Sequence, residues 1–72
     1  MDNFRYEIVE HLAVLGEAND RVREVNMVSW CGNAPKLDIR WWSKDHTNIG
    51  KGVALSDAEA KALLEVLKER YE

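Results

Sequence analysis

Apolar and polar residues alternate along most of the first 55 positions and then switch to a helical period. From Phe4 to Leu15, Phe4, Tyr6, Ile8, Leu12 and Val14 fall on one parity, while Arg5, Glu7 and His11 fall on the other with Val9, Ala13 and Leu15. This pattern predicts a long strand over about 4–15, bent near Glu10. Positions 4, 8, 12 and 15 also fit a helical stripe, but the segment lacks an N-cap and opens with poor helix formers. Gly16 to Asp20 reads as a turn, Arg21 to Cys31 as a second strand and Gly32-Asn33-Ala34-Pro35 as a second turn. The third strand is expected over 37–43, followed by a polar loop from Asp45 to Gly52 and a short fourth strand over 53–55.

At Ser56 the period changes. Ser56-Asp57-Ala58-Glu59 is a capping box, in which the Ser56 hydroxyl accepts from the Glu59 backbone and the Glu59 carboxylate accepts from the Ser56 backbone. A helix over about 57–70 follows. Ala60, Leu63, Leu64, Leu67 and Tyr71 form its apolar stripe, with acidic residues first and Lys68 and Arg70 last, as the helix dipole favours. The expected fold is α+β: a four-stranded antiparallel meander and one C-terminal helix in a single domain spanning 1–72. One helix covers one face of a sheet. The other face is then solvated, paired with a second subunit or used for binding.

Parity on the third strand separates Leu37, Ile39 and Trp41 from Asp38, Arg40 and Trp42. The apolar set is expected under the helix, leaving Arg40 and Trp42 side by side on the open face. An arginine beside an exposed tryptophan suits single-stranded nucleic acid, with the ring stacking on a base and the guanidinium holding phosphate. On the same reasoning Trp30 and Trp41 are expected in the core. Arg21 and Arg23 share a face of the second strand, where they either extend a basic surface or discourage edge pairing. Gly50-Lys51-Gly52 offers a lysine between two glycines, without the flanking residues of a nucleotide-binding P-loop.

Charge and size sharpen this picture. The chain of 72 residues carries a net charge of -3, which by itself argues against a nucleic-acid partner. The charges are unevenly spread, however. From Arg21 to Lys51 six basic residues oppose three acidic ones, so the middle of the chain is positive between acidic ends. A domain this small buries only about 60% of its unfolded surface and often needs a disulfide, a metal or a partner. With one cysteine, Cys31, and two distant histidines, His11 and His46, neither an intrachain disulfide nor a zinc site is expected. A homodimer remains. No apolar run reaches membrane-spanning length and no signal peptide is evident, so a cytoplasmic protein is expected. Cys31 has no neighbouring histidine, Asp45-His46 reads as polar loop, and no nucleophile elbow occurs. Neither catalysis, a small-molecule substrate nor a cofactor is expected.

Val28-Ser29-Trp30, the run from Pro35 through Asp38-Ile39-Arg40-Trp41-Trp42 to Ser43, and Gly50-Lys51-Gly52-Val53-Ala54-Leu55-Ser56 together resemble the single-stranded-DNA-binding domain of transcriptional positive cofactor four. The resemblance is nearest to the small bacterial YdbC-like branch and covers about Phe4 to Leu67. It implies four antiparallel strands and a helix in a homodimer, with sheet grooves that bind single-stranded DNA with little sequence preference. It further implies a coactivator-like role in transcription regulation, or a role in replication or repair, at the nucleoid if the source is bacterial. By position, Arg40 matches the family's strand cation, Lys51 its glycine-flanked lysine and Trp42 the YdbC-like tryptophan. In the eukaryotic relatives the aromatic stands one residue further on, at Ser43 here. The expected DNA-binding set is therefore Arg21, Arg23, Arg40, Trp42, Lys44 and Lys51, and the expected dimer contacts are Leu63, Leu64, Leu67 and Tyr71. A protein-interaction module with tryptophan anchors, or a single-stranded RNA binder, would use the same open face.

Overall fold

The computed structural model describes residues 5–72. Phe4, the expected start of the first strand, lies outside them. Four strands, β1 (Tyr6–Ala18), β2 (Arg21–Trp30), β3 (Lys36–Ser43) and β4 (Ile49–Leu55), form one antiparallel sheet in the order β1-β2-β3-β4, and the helix α1 (Asp57–Tyr71) follows. The α+β meander and its helix are as the sequence suggests.

Two boundaries differ by three residues or more, and β2 ends at Trp30, leaving Cys31 in the following turn. β1 continues through Gly16, Glu17 and Ala18, which pair with Arg23, Val22 and Arg21, so the turn shrinks to Asn19-Asp20 with Asn19 in the left-handed region at φ 56°. β4 begins at Ile49, not Val53, because the two glycines belong to the strand. A Cβ at Gly52 would collide with the Cβ of Arg40 and the carbonyl of Ile39, and one at Gly50 would come within 2.9 Å of the Trp41 Cβ. β4 crosses β3 too closely for side chains there.

The register of β1 skips Val9, Leu12 and Leu15, each an extra residue at a bulge. The first bulge realises the bend expected near Glu10, and it also resets the parity, so that His11 rather than Glu10 shares a face with Tyr6 and Ile8. The sheet then curls. Tyr6 pairs with Trp30 at one end of β2 and Trp42 pairs with Val22 at the other, eight positions away. In a flat strand those ends lie about 26 Å apart. Here the Tyr6 and Trp42 rings are 5.3 Å apart between centroids, and the Tyr6 hydroxyl donates to the His46 carbonyl at 2.8 Å. This inner face has closed on itself.

The core follows from that curl. Val22, Val28 and Trp42 are its buried apolar members, and Glu24, Asn26 and Asp38 are buried beside them. All six lie on the inner face. The helix touches the outer face only at one end, where Ala60 meets Met27, Leu37 and Leu55 around a small cavity of about 160 Å³. No residue of α1 is buried. Contact with the sheet runs through the first turns of α1, and Leu64, Leu67 and Tyr71 of its apolar stripe stay exposed. Ser56 forms the anticipated capping box with Glu59.

Candidate nucleic-acid interface

The parity of β3 is as read from sequence, but the accessibility of the two faces is reversed. Trp42, expected on the open face, is fully buried between Tyr6 and His46. Arg40 is equally committed. Its Nε and Nη2 donate to the two carboxylate oxygens of Asp38 at 2.7 and 2.8 Å, and its guanidinium lies 4.7 Å over the Trp30 ring. The expected pair of an exposed Arg40 and Trp42 therefore does not form in this arrangement. The physical reason is mutual satisfaction. Asp38 and Arg40 neutralise each other inside, and Trp42 fills the space the curl creates.

Trp41, expected in the core, is the accessible one. It stands on the outer face opposite Arg23, whose guanidinium carbon lies 4.7 Å above the ring. Because α1 covers only the far end of this face, Trp41 opens into a groove of about 600 Å³ lined by Ala18, Asn19, Asp20, Arg21, Trp41 and Lys51. Alternation on β2 puts Arg21 and Arg23 on the Trp41 side, and the β3–β4 register, with Ile39 opposite Val53 and Arg40 opposite Gly52, puts Lys51 there from β4. Three of the expected cations, Arg21, Arg23 and Lys51, are thus gathered around a tryptophan, with Asp20 as the opposing charge. Lys44 lies apart in the β3–β4 loop. It is exposed, 4.0 Å from Glu17, in a neighbouring depression that also borders Asp20. The signal for Trp41 was its parity, shared with the two arginines through the β2–β3 register.

The inner face holds a polar cluster that the sequence reading passed over. Asn26 donates from Nδ2 to Glu24 Oε1 at 3.1 Å, His46 Nε2 lies 3.0 Å from both Glu24 oxygens, and His11 Nδ1 lies 2.7 Å from Asn26 Oδ1 and 3.5 Å from Glu24. Burial pushes the Glu24 carboxyl up, but the hydrogen bonds from Asn26 and His46 and the charges of His46 and His11 outweigh it and hold it below its ordinary value. Asp45 does not partner His46. It accepts from the Ser43 and Thr47 hydroxyls and the Thr47 backbone, which lower its pKa to about 2. Cys31 is exposed at φ 53° in the β2–β3 turn. Among the described residues no cluster of three or more His, Cys, Asp or Glu is placed to hold a metal ion, and no helix is long and apolar enough to cross a membrane.

Fold and groove together define a small curled-sheet α+β protein with a cation-ringed tryptophan on its outer face. No protein-family model matches the chain. It is 40% identical over 67 residues to an uncharacterized protein of Treponema pallidum (strain Nichols), across 92% of this chain and 79% of that one, and it belongs to the same family.

Proposed function

We propose that the protein binds single-stranded DNA with little sequence preference, as a homodimer, and that Trp41 is the ring on which a base stacks. One observation carries this reading: Trp41 stands in an open groove with Arg21 and Lys51 on its walls and Arg23 over its face. A stacking surface with phosphate-binding cations beside it is what sequence-tolerant single-strand binding requires. The resemblance to positive cofactor four supports the same substrate and implies a role in transcription regulation, replication or repair. Arg40 and Trp42 serve the fold in this reading, and Lys44 lies at the edge of the path. No catalytic step is proposed.

The homodimer is supported by unburied apolar surface. Val9, Leu12 and Leu15, the three bulge residues, are 52%, 45% and 56% exposed, and on α1 Leu64, Leu67 and Tyr71 are exposed as well. The radius of gyration is 13.2 Å, against about 11 Å expected for a compact chain of this length. A second copy would cover these patches, with Leu63 at the margin of the helix contact. Leu64→Glu with Leu67→Glu should give a monomer in sedimentation.

The binding test is a titration of tryptophan fluorescence with oligo-dT at low and high salt, beside a matched duplex. Quenching that exceeds the duplex effect and fades with salt is expected. Trp41→Leu should weaken binding by roughly 5- to 150-fold, the equivalent of one stacked base at about 1–3 kcal/mol. Unchanged affinity in Trp41→Leu would reject the groove. Absence of binding by anisotropy would leave the exposed apolar surface as the functional one, in a protein-interaction module. Equal competition by oligo-U would widen the substrate to RNA.

A further inference from the structure

The loop from Lys44 to Asn48 is fastened to the inner face at one residue. His46 sits in the left-handed region at φ 62°, a costly conformation for a non-glycine residue; its backbone N–H closes a turn on the Ser43 carbonyl at 2.9 Å, and three further contacts hold it to the inner face. Its Nε2 lies 3.0 Å from both Glu24 oxygens, its carbonyl accepts from the Tyr6 hydroxyl at 2.8 Å, and its ring packs on Trp42 at 5.5 Å. The Glu24 carboxylate thus sits between His46 from the loop and His11 from β1. We propose that Glu24, His46 and His11 form a proton-sensitive latch that holds this loop over Trp42 and keeps the curled inner face shut.

The chemistry is that of one buried carboxylate with two titratable partners. With both imidazoles protonated, the contacts to Glu24 are charge-assisted. When histidine loses its proton, as it ordinarily does between about pH 5 and 8, the ion pairing is lost and the Glu24 carboxylate keeps only hydrogen bonds from uncharged donors. No other charge on the neighbouring elements substitutes. On β1 the Tyr6 hydroxyl is spent on the His46 carbonyl, and Glu17 and Lys44 lie exposed against each other. On β2 Asn26 is uncharged. On β3 Arg40 stands opposite Glu24 in register, but its guanidinium is taken by Asp38, which is itself buried. On β4 the facing residue is Gly52, with no side chain. The latch is therefore tightest where Glu24 is ionised and the histidines are protonated, and it loosens as the pH rises through the histidine range. Loosening it uncovers Trp42 and the Arg40 guanidinium stacked on Trp30.

Trp42 supplies its own reporter. Its indole N–H is buried and has no acceptor among the described residues, so only closure of the inner face protects it from exchange with water. The experiment follows indole N–H exchange by NMR in the full chain without nucleic acid, using accessible Trp41 as the internal reference for base catalysis. From roughly pH 5.5 to 8.5, across the histidine range, protection of Trp42 relative to Trp41 should fall. The expected fall is about tenfold, as when the donor of a hydrogen bond to a carboxylate loses its positive charge. It should track the His46 imidazole signals in the same spectra. His46→Gln should make the ratio low and independent of pH, and His11→Gln should reduce the pH-dependent part. A flat ratio in the wild-type chain, or a fall that does not follow either imidazole, would overturn the latch. No DNA is present, so the outcome is separate from that of the binding reading.

Discussion

Arg40 and Lys51 both look like phosphate-binding cations in the sequence, and the structure separates them into a residue of the fold and a residue of the surface. Arg40→Ala removes the bidentate partner of Asp38, a carboxylate with no solvent exposure, together with the guanidinium over Trp30. Breaking one side of a buried ion pair costs about 3–5 kcal/mol, because a charge is left without compensation. A chain of this length has roughly 4–11 kcal/mol of stability in all. Arg40→Ala should therefore lose about a quarter or more of the total and shift the guanidinium midpoint markedly downward. Lys51→Ala removes an exposed side chain between two glycines and should change stability by no more than about 0.5 kcal/mol. It should instead flatten the dependence of log affinity for oligo-dT on log salt by about 0.7, the share of one phosphate contact on a single strand. Denaturation and salt-dependent binding on the same two variants decide the matter. If Arg40→Ala were as stable as the wild type and defective only in binding, the Asp38 pair would not be structural and the assignment of the two faces would be wrong.

Three further outcomes follow from the geometry. Gly52→Ala should destabilise by about 1–3 kcal/mol or more, since a methyl group there meets β3 backbone. Gly16→Ala, with nothing within 4 Å and no left-handed φ, should be neutral or stabilise by up to about 1 kcal/mol; equal effects in urea melts would refute the close crossing of β4. Asp45 should titrate near pH 2 in carboxyl NMR, not near its ordinary 3.8. Its lowered value means that its contribution is present above the ordinary value and lost as the pH falls through about 2, so an Asp45 midpoint at the ordinary value would show that the Ser43 and Thr47 hydrogen bonds do not form. Ser56→Ala should cost about 0.5–2 kcal/mol and lower the helical circular dichroism, since it removes the capping box; unchanged helicity and midpoint would show that the cap is not formed.

Local chemistry was readable where it is decided locally. The capping box, the charged ends of α1, the antiparallel meander and the parity of β3 all follow from neighbours within a few positions. What was not readable was which face would close. Leu37, Ile39 and Trp41 are more apolar than Asp38, Arg40 and Trp42, and the ordinary rule assigns the apolar set to the core. That rule fails when polar residues two apart on one strand, or on a strand and a loop, satisfy one another, as Asp38 does with Arg40, Glu24 with Asn26, and Glu24 with His46. Those partners lie 2 to 22 positions apart, and the longest link depends on the curl. The curl depends in turn on bulges at Val9, Leu12 and Leu15; the first has a counterpart in the bend expected near Glu10, whereas Leu12 and Leu15, as apolar residues in an apolar strand, carry no signal. Gly50 and Gly52 misled in the opposite way, since glycine near a polar loop suggests a turn although here it allows two strands to approach.

The curl also explains how an acidic chain can offer a cationic surface. Folding inward consumes charge on one face, where Asp38 pairs with Arg40 and Glu24 is buried and hydrogen-bonded to Asn26 and His46, and the buried carboxylates no longer oppose the outer arginines across open solvent. Most remaining acidic side chains belong to α1 or to β1, whereas Arg21, Arg23 and Lys51 share the groove around Trp41. Net charge is therefore the wrong quantity for judging what this groove attracts; the sign within a Debye length of Trp41, about 8 Å at physiological salt, is the relevant one. By the same reasoning Asp20, the acid on the groove wall, is the residue whose neutralisation should strengthen binding. Asp20→Asn should raise affinity for oligo-dT at low salt, and the gain should disappear at high salt. A gain that persisted at high salt would mean that Asp20 acts through the β1–β2 turn rather than through its charge.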